Sequence, residues 1–103
     1  MNENWQEQAT GFAKTYDLLH TPQTHALDLL SEMGEVAKEL LLATDYGTHP
    51  FSARPHLTDE MGDVLYSLCL LATAVNVDLD EALAGALAKY QKRMDSKNHA
   101  GSC

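Results

Sequence analysis

The sequence predicts an all-α protein, a four-helix bundle whose helices also pack extensively against other subunits. Three observations predict it. Apolar residues recur at helical spacing in four segments, cap and turn residues fill the breaks between them, and no run alternates with the period of a strand. The composition agrees, since 45% of the 103 residues are hydrophobic but only 7% are aromatic, a balance that suits aliphatic helix packing. A chain of this length forms one domain, predicted to span residues 1–95 with a flexible tail at 96–103.

The first helix is predicted over about residues 3–19, where Trp5, Ala9, Phe12, Tyr16 and Leu19 form one stripe. Thr21-Pro22 supplies a cap followed by a proline at the first helical position, so the second helix starts there. It runs to about Thr44 and is ended by Tyr46-Gly47. Residues 45–57 contain Gly47, Pro50 and Pro55 and read as an irregular loop. Thr58, or a residue just before it, caps the third helix, which continues to about Val75. Asp78 and Glu81 form a capping-box pattern that opens the fourth helix near Leu79. Its stripe is Leu79, Leu83, Leu87, Tyr90 and Met94.

The second and third helices are apolar around more than one face. Leu27, Leu29, Leu30, Met33, Val36, Leu40, Leu41 and Leu42 are more than four short helices can cover. A homodimer or a dimer of dimers is therefore expected. The net charge of -8 argues against a nucleic-acid backbone or an anionic membrane as partner. It leaves room for a phosphorylated small molecule when cations bridge acid to phosphate. Cys69 and Cys103 have no metal-ligand spacing, Cys69 reading as a small core residue. Residues 1–5 lack the pattern of a signal peptide, and no apolar run approaches the roughly 18 residues of a membrane span. A cytoplasmic protein without a membrane partner is the expectation.

The chemistry concentrates in a repeat. Glu32-Met33-Gly34-Glu35-Val36 is echoed by Glu60-Met61-Gly62-Asp63-Val64. Each copy puts two carboxylates on one helix face. If the two helices pack antiparallel, four carboxylates converge, at a cost that a cation would relieve. The plain alternative is an ordinary solvated acidic stripe, but Lys14 and Lys38 are the only lysines or arginines in the first 53 residues, too few to balance it. An all-oxygen site selects Mg²⁺ or Mn²⁺, and its natural chemistry is hydrolysis at phosphorus. Gly34 and Gly62, each costing about 1 kcal/mol in a helix, suggest close helix approach or space for a ligand. His25, His49, His56 and His99 show no ligand spacing and read as surface residues, and Arg54 reads as a solvated loop arginine. Nothing suggests a covalent nucleophile.

Glu32-x-x-Glu35 followed by Glu60-x-x-Asp63, on two helices of a short helical chain, resembles the MazG-type nucleoside triphosphate pyrophosphohydrolases. The resemblance covers helices two to four well and helix one loosely. It implies that Glu32, Glu35, Glu60 and Asp63 bind Mg²⁺ (or Mn²⁺). It also implies hydrolysis of a nucleoside triphosphate to the monophosphate and pyrophosphate, in a house-cleaning role on the nucleotide pool. Within the family the chain is most similar to the dCTP pyrophosphatase branch. Tyr16-Asp17-Leu18-Leu19-His20 matches that branch's aromatic-x-x-x-His segment, which implies that Tyr16 and His20 contact substrate, and Val77-Asp78-Leu79 matches its turn.

Many members of the family carry a glutamate just before the first metal acid, where this chain has Ser31, as in branches that lack it. From the dCTP pyrophosphatase branch the chain departs at Leu42, Ser67, Ala86 and Tyr90, which replace an aromatic, a tyrosine, a lysine and an asparagine. Arg93 agrees with the branch's basic residue, and Lys89 or Lys92 can supply charge toward a phosphate, although basic residues near a helix C-terminus also suit its dipole. The base pocket is thus remade. Glu32 and Glu35 are the candidate catalytic acids, with Glu35 or Glu39 as general base. Two alternatives stay open: a phosphoribosyl-ATP pyrophosphohydrolase, and a non-catalytic metal- or nucleotide-binding helical module.

Overall fold

Four helices and no strand make up residues 3–97, the part of the chain that this computed structural model describes. They are α1 (Trp5–Thr15), α2 (Pro22–Ala43), α3 (Pro55–Ala74) and α4 (Leu79–Lys97). The caps explain most of these limits. Asn4 opens α1 through a reciprocal capping box: its side chain accepts from the Glu7 N–H at 2.8 Å, and the Glu7 carboxylate accepts from the Asn4 N–H at 2.9 Å. Thr21 caps α2, with Pro22 at the first position as expected. Asp78 Oδ1 accepts from the N–H groups of Asp80 and Glu81 at the start of α4. The third helix starts earlier than Thr58, because Pro55 is preset for a first helical position. Its N-cap is Arg54, which makes no side-chain cap bond.

The helix ends share a device that the sequence hides. At α1, α2 and α3 the residue after the C-cap is Asp17 (φ 57°), Asp45 (φ 47°) and Asn76 (φ 60°), all left-handed. In each case the next N–H returns to a carbonyl five residues back: Leu18 to Ala13 at 2.8 Å, Tyr46 to Leu41 at 2.6 Å and Val77 to Ala72 at 2.8 Å. These are Schellman closures built on Asp and Asn, whose short polar side chains tolerate the conformation that glycine usually supplies. Hence α1 stops at Thr15 and not near residue 19, although the apolar stripe continues. Asp45 ends α2 ahead of Gly47.

Helix α3 is central. Helices α1 and α2 both pack on it. The side-chain meetings of Glu39 with Arg54 and of Glu32 with Glu60 and Asp63 make α2 and α3 antiparallel. Their shared core is thin and made of small groups: Ala13, Ala43, Cys69, Leu70 and Ala72 are buried. The fourth helix departs from the expected bundle. It turns away by 100° after α3 and packs extensively on none of the others. The elbow is held from α1. Gln6 Nε2 donates to Thr73 Oγ1 (3.1 Å) and to the Val77 carbonyl (2.8 Å), while its Oε1 accepts from the Leu79 N–H (2.8 Å). Asn4 reaches Asp80, and Thr10 bonds Thr73.

The result is an extended chain. Its radius of gyration is 17.3 Å, where a compact chain of this length has about 13 Å. Leu83, Leu87, Tyr90 and Met94, the stripe of α4 beyond the half-buried Leu79, are exposed. So are Leu27, Leu30 and Leu41, which at 100° per residue lie on the side of α2 opposite the one facing α3. Gly34 shares that outer side. A side chain added at Gly34 or Gly62 would meet nothing within 4 Å, so close helix approach does not account for either glycine within the protomer. Ser96 and Lys97 continue α4, and the rest of the expected tail, with His99 and Cys103, lies outside the described residues. No single helix among the described residues is long and apolar enough to cross a membrane.

Candidate metal centre

The register of α2 sends Glu32, Glu35 and Glu39 toward α3, and that of α3 presents Glu60 and Asp63 in return. One carboxylate oxygen from each of Glu32, Glu60 and Asp63 lies within 4.8 Å of the others. Glu32 and Glu60 are half-buried and Asp63 is exposed. Glu35 is near enough that its charge acts on both Glu32 and Glu60 without joining the tight trio.

This crowding shows in the proton affinities. Loss of hydration pushes the Glu32 carboxyl above its ordinary range. The Asp63 charge, a hydrogen bond with Asp63, and the charges of Glu60 and Glu35 follow as smaller causes. Glu60 is raised for the same first reason, then by Asp63, Glu35, Glu39 and Asp59. The three oxygens are near enough to share one cation, and an ion of Mg²⁺ size, with bonds of about 2.1 Å, would draw them closer together. With no nitrogen or sulfur donor among them, the set suits a hard cation. The arrangement can hold such an ion and, through it, the oxygens of a phosphate chain.

Other sequence-derived candidates fall elsewhere. Tyr16 is the C-cap of α1 and packs against Phe12 with ring centroids 4.9 Å apart and planes tilted by 49°, the residue itself 62% exposed. His20 lies exposed in the turn before α2, its ring 5.8 Å from that of His25. Lys89 and Arg93 lie on the departing helix α4, each within cation–π distance of the Tyr90 ring. The structure brings Glu32, Glu60 and Asp63 together, with Glu35 beside them, but does not carry α4 over them.

Three readings change. His25 is not a surface residue: it is buried at 2% exposure, and its Nε2 accepts the His20 backbone N–H at 2.9 Å, closing the turn into α2. Glu39 is buried and accepts from Arg54 Nε at 2.9 Å, so it is not a free base. Arg54 is correspondingly not a solvated loop residue. The register that sets Glu39 on the same face as Glu32 was legible, but nothing in the sequence marked Arg54 as its partner.

A profile of the MazG nucleotide pyrophosphohydrolase domain matches residues 20–97, from His20 through the end of α4. No curated protein matches the chain. The matched span covers three quarters of the sequence and contains every acid of the cluster, and the chain belongs to the MazG nucleotide pyrophosphohydrolase family.

Proposed function

We propose that this protein hydrolyses a nucleoside triphosphate, RNA- or DNA-type, to the monophosphate and pyrophosphate with Mg²⁺ (or Mn²⁺) as cofactor. The observation that carries the reading is the convergence of Glu32, Glu60 and Asp63 from two helices, with Glu35 beside them. These four carboxylates would hold the ion, which when bound polarises the phosphate oxygens and offsets their charge. Glu35 touches the field of the cluster without belonging to its tight trio, which suits it to accept a proton from the attacking water. A new bond forms from water oxygen to phosphorus, the bond to the bridging oxygen breaks, and pyrophosphate leaves.

Within this reading Tyr16 and His20 are proposed to meet the nucleotide, as the likeness to the dCTP pyrophosphatase branch implies. Leu42, Ser67, Ala86 and Tyr90 depart from that branch, so cytosine preference is not part of the proposal. Assembly as a homodimer or a dimer of dimers is. It is supported by the exposed stripes of α2 and α4 and by a protomer surface of 7743 Å², against roughly 5,700 Å² for a compact 11.3 kDa monomer. A neighbouring copy would also bring Lys89 and Arg93 of its α4, or cover those of this chain. A house-cleaning enzyme of the cytoplasmic nucleotide pool fits both charge and chemistry.

The test is a panel of NTPs, dNTPs and modified dNTPs with Mg²⁺, with products identified. Pyrophosphate plus monophosphate is expected. Phosphate plus diphosphate would contradict the mechanism, and tight nucleotide binding without turnover on every substrate would favour a non-catalytic module.

A further inference from the structure

Among the described residues, Arg54 is the only lysine or arginine within ion-pair distance of a carboxylate. Its location is unfavourable for an isolated cation. It is the N-cap of α3, where the helix dipole repels positive charge, and its side chain satisfies no helix N–H. Its partner has the complementary problem. Glu39 is the one carboxylate buried among the described residues, and a buried carboxylate without a partner is costly. The Nε–Oε1 bond of 2.9 Å resolves both.

The pair borders the candidate metal centre. Glu39 lies on the same side of α2 as Glu32 and Glu35, and its charge reaches Glu60. Arg54 precedes Glu60 in the first turns of α3, so the bond also fixes how α3 begins against α2.

We infer that Arg54 is a positioning residue of the metal centre, holding the Glu39 carboxylate at the start of α3 so that it neither joins nor overcharges the Glu32–Glu60–Asp63 cluster. The inference rests on the metal-site reading above. Arg54 and Glu39 thereby set the net charge that the ion meets, while neither one touches it.

The experiment measures Mn²⁺ affinity by electron paramagnetic resonance on the full chain. Arg54→Met removes a positive charge, and Mn²⁺ should bind about fivefold more tightly, the scale of one charge acting on a divalent ion through a largely aqueous path. Glu39→Gln leaves the arginine uncompensated, and binding should weaken about fivefold. The double variant should return close to wild type. Arg54→Gln keeps a donor for Glu39 and carries the expectation of Arg54→Met if that variant does not fold.

Shifts of the same sign in both single variants, no shift in either, or a double variant that does not recover would overturn the assignment. So would a tenfold rise in nucleotide KM for Arg54→Met at unchanged Mn²⁺ affinity, which would make Arg54 a phosphate contact. A wild-type chain that binds no Mn²⁺ sinks the metal reading and this inference together. Same-sign shifts with wild-type binding intact sink only the inference.

Discussion

Replacing Leu30 by lysine tests how the protomer completes its packing. Leu30 is 70% exposed, and Leu27 beside it is 68% exposed, on the side of α2 away from α3. The protomer carries about 2,000 Å² more surface than a compact monomer of its mass. Two copies each hiding that much would bury about 4,000 Å² in total, within the range of permanent homodimers. Burying one leucine contributes about 1.5–3 kcal/mol. In a two-fold interface each substitution occurs twice, so Leu30→Lys removes about 3–6 kcal/mol before the cost of burying the ammonium is counted. That corresponds to a dissociation constant raised by about two to four orders of magnitude. Sedimentation velocity over a wide concentration range reads this directly. The wild type should sediment at a multiple of 11.3 kDa, and the variant should dissociate at much higher concentration. A wild-type particle of 11.3 kDa at about 100 μM, far above the nanomolar constants of stable complexes, would refute the assembly. An unchanged dissociation constant in Leu30→Lys would place the interface on another face.

Further expectations concern the acids and the turns. Glu60→Gln should abolish thermal stabilisation by Mg²⁺ and lower turnover by about two orders of magnitude or more, while the metal-free chain gains stability from the lost repulsion; retained turnover removes Glu60 from the site. The pH dependence has a definite sign. Glu32 and Glu60 hold protons more tightly folded than at their ordinary pKa of 4.5, so this contribution to stability is fully present below pH 4.5 and is lost as pH rises through the raised values. Because the metal competes with those protons, the gain in Tm on adding Mg²⁺ should be large at about pH 7.5 and shrink toward 4.5; a gain independent of pH would contradict the cluster as the binding site. His25→Ala opens a cavity and strands the His20 N–H, and should cost about 2–4 kcal/mol in chemical denaturation. Asn76→Gly should add up to about 1 kcal/mol, and Asn76→Val should cost more than that, because only the first relieves the left-handed conformation.

The elements legible in the sequence were those written in local chemistry. Thr21-Pro22 fixed the start of α2, and the period of Glu32 and Glu35 against Glu60 and Asp63 carried the acid cluster, because helical register alone decides which residues face across an antiparallel pair. Asp17, Asp45 and Asn76 hid the helix ends, since polar residues in left-handed caps look like ordinary surface positions. Arg54 and Glu39 depend on how a loop returns, which no periodicity encodes. The direction of α4 was invisible for a different reason. Its stripe of Leu83, Leu87, Tyr90 and Met94 says that it must be covered but not by which molecule.

Gln6 gives the elbow between α3 and α4 a consequence for the family comparison. The match begins at residue 20, so α1 lies outside the segment that defines membership. Yet the side chain of Gln6, within α1, bonds Thr73, Val77 and Leu79 and thereby sets the heading of the last helix. The acid cluster and the aim of α4 are thus encoded in separate parts of the chain. A change at Gln6 would alter where α4 points, and with it Lys89 and Arg93, while leaving Glu32, Glu60 and Asp63 in place.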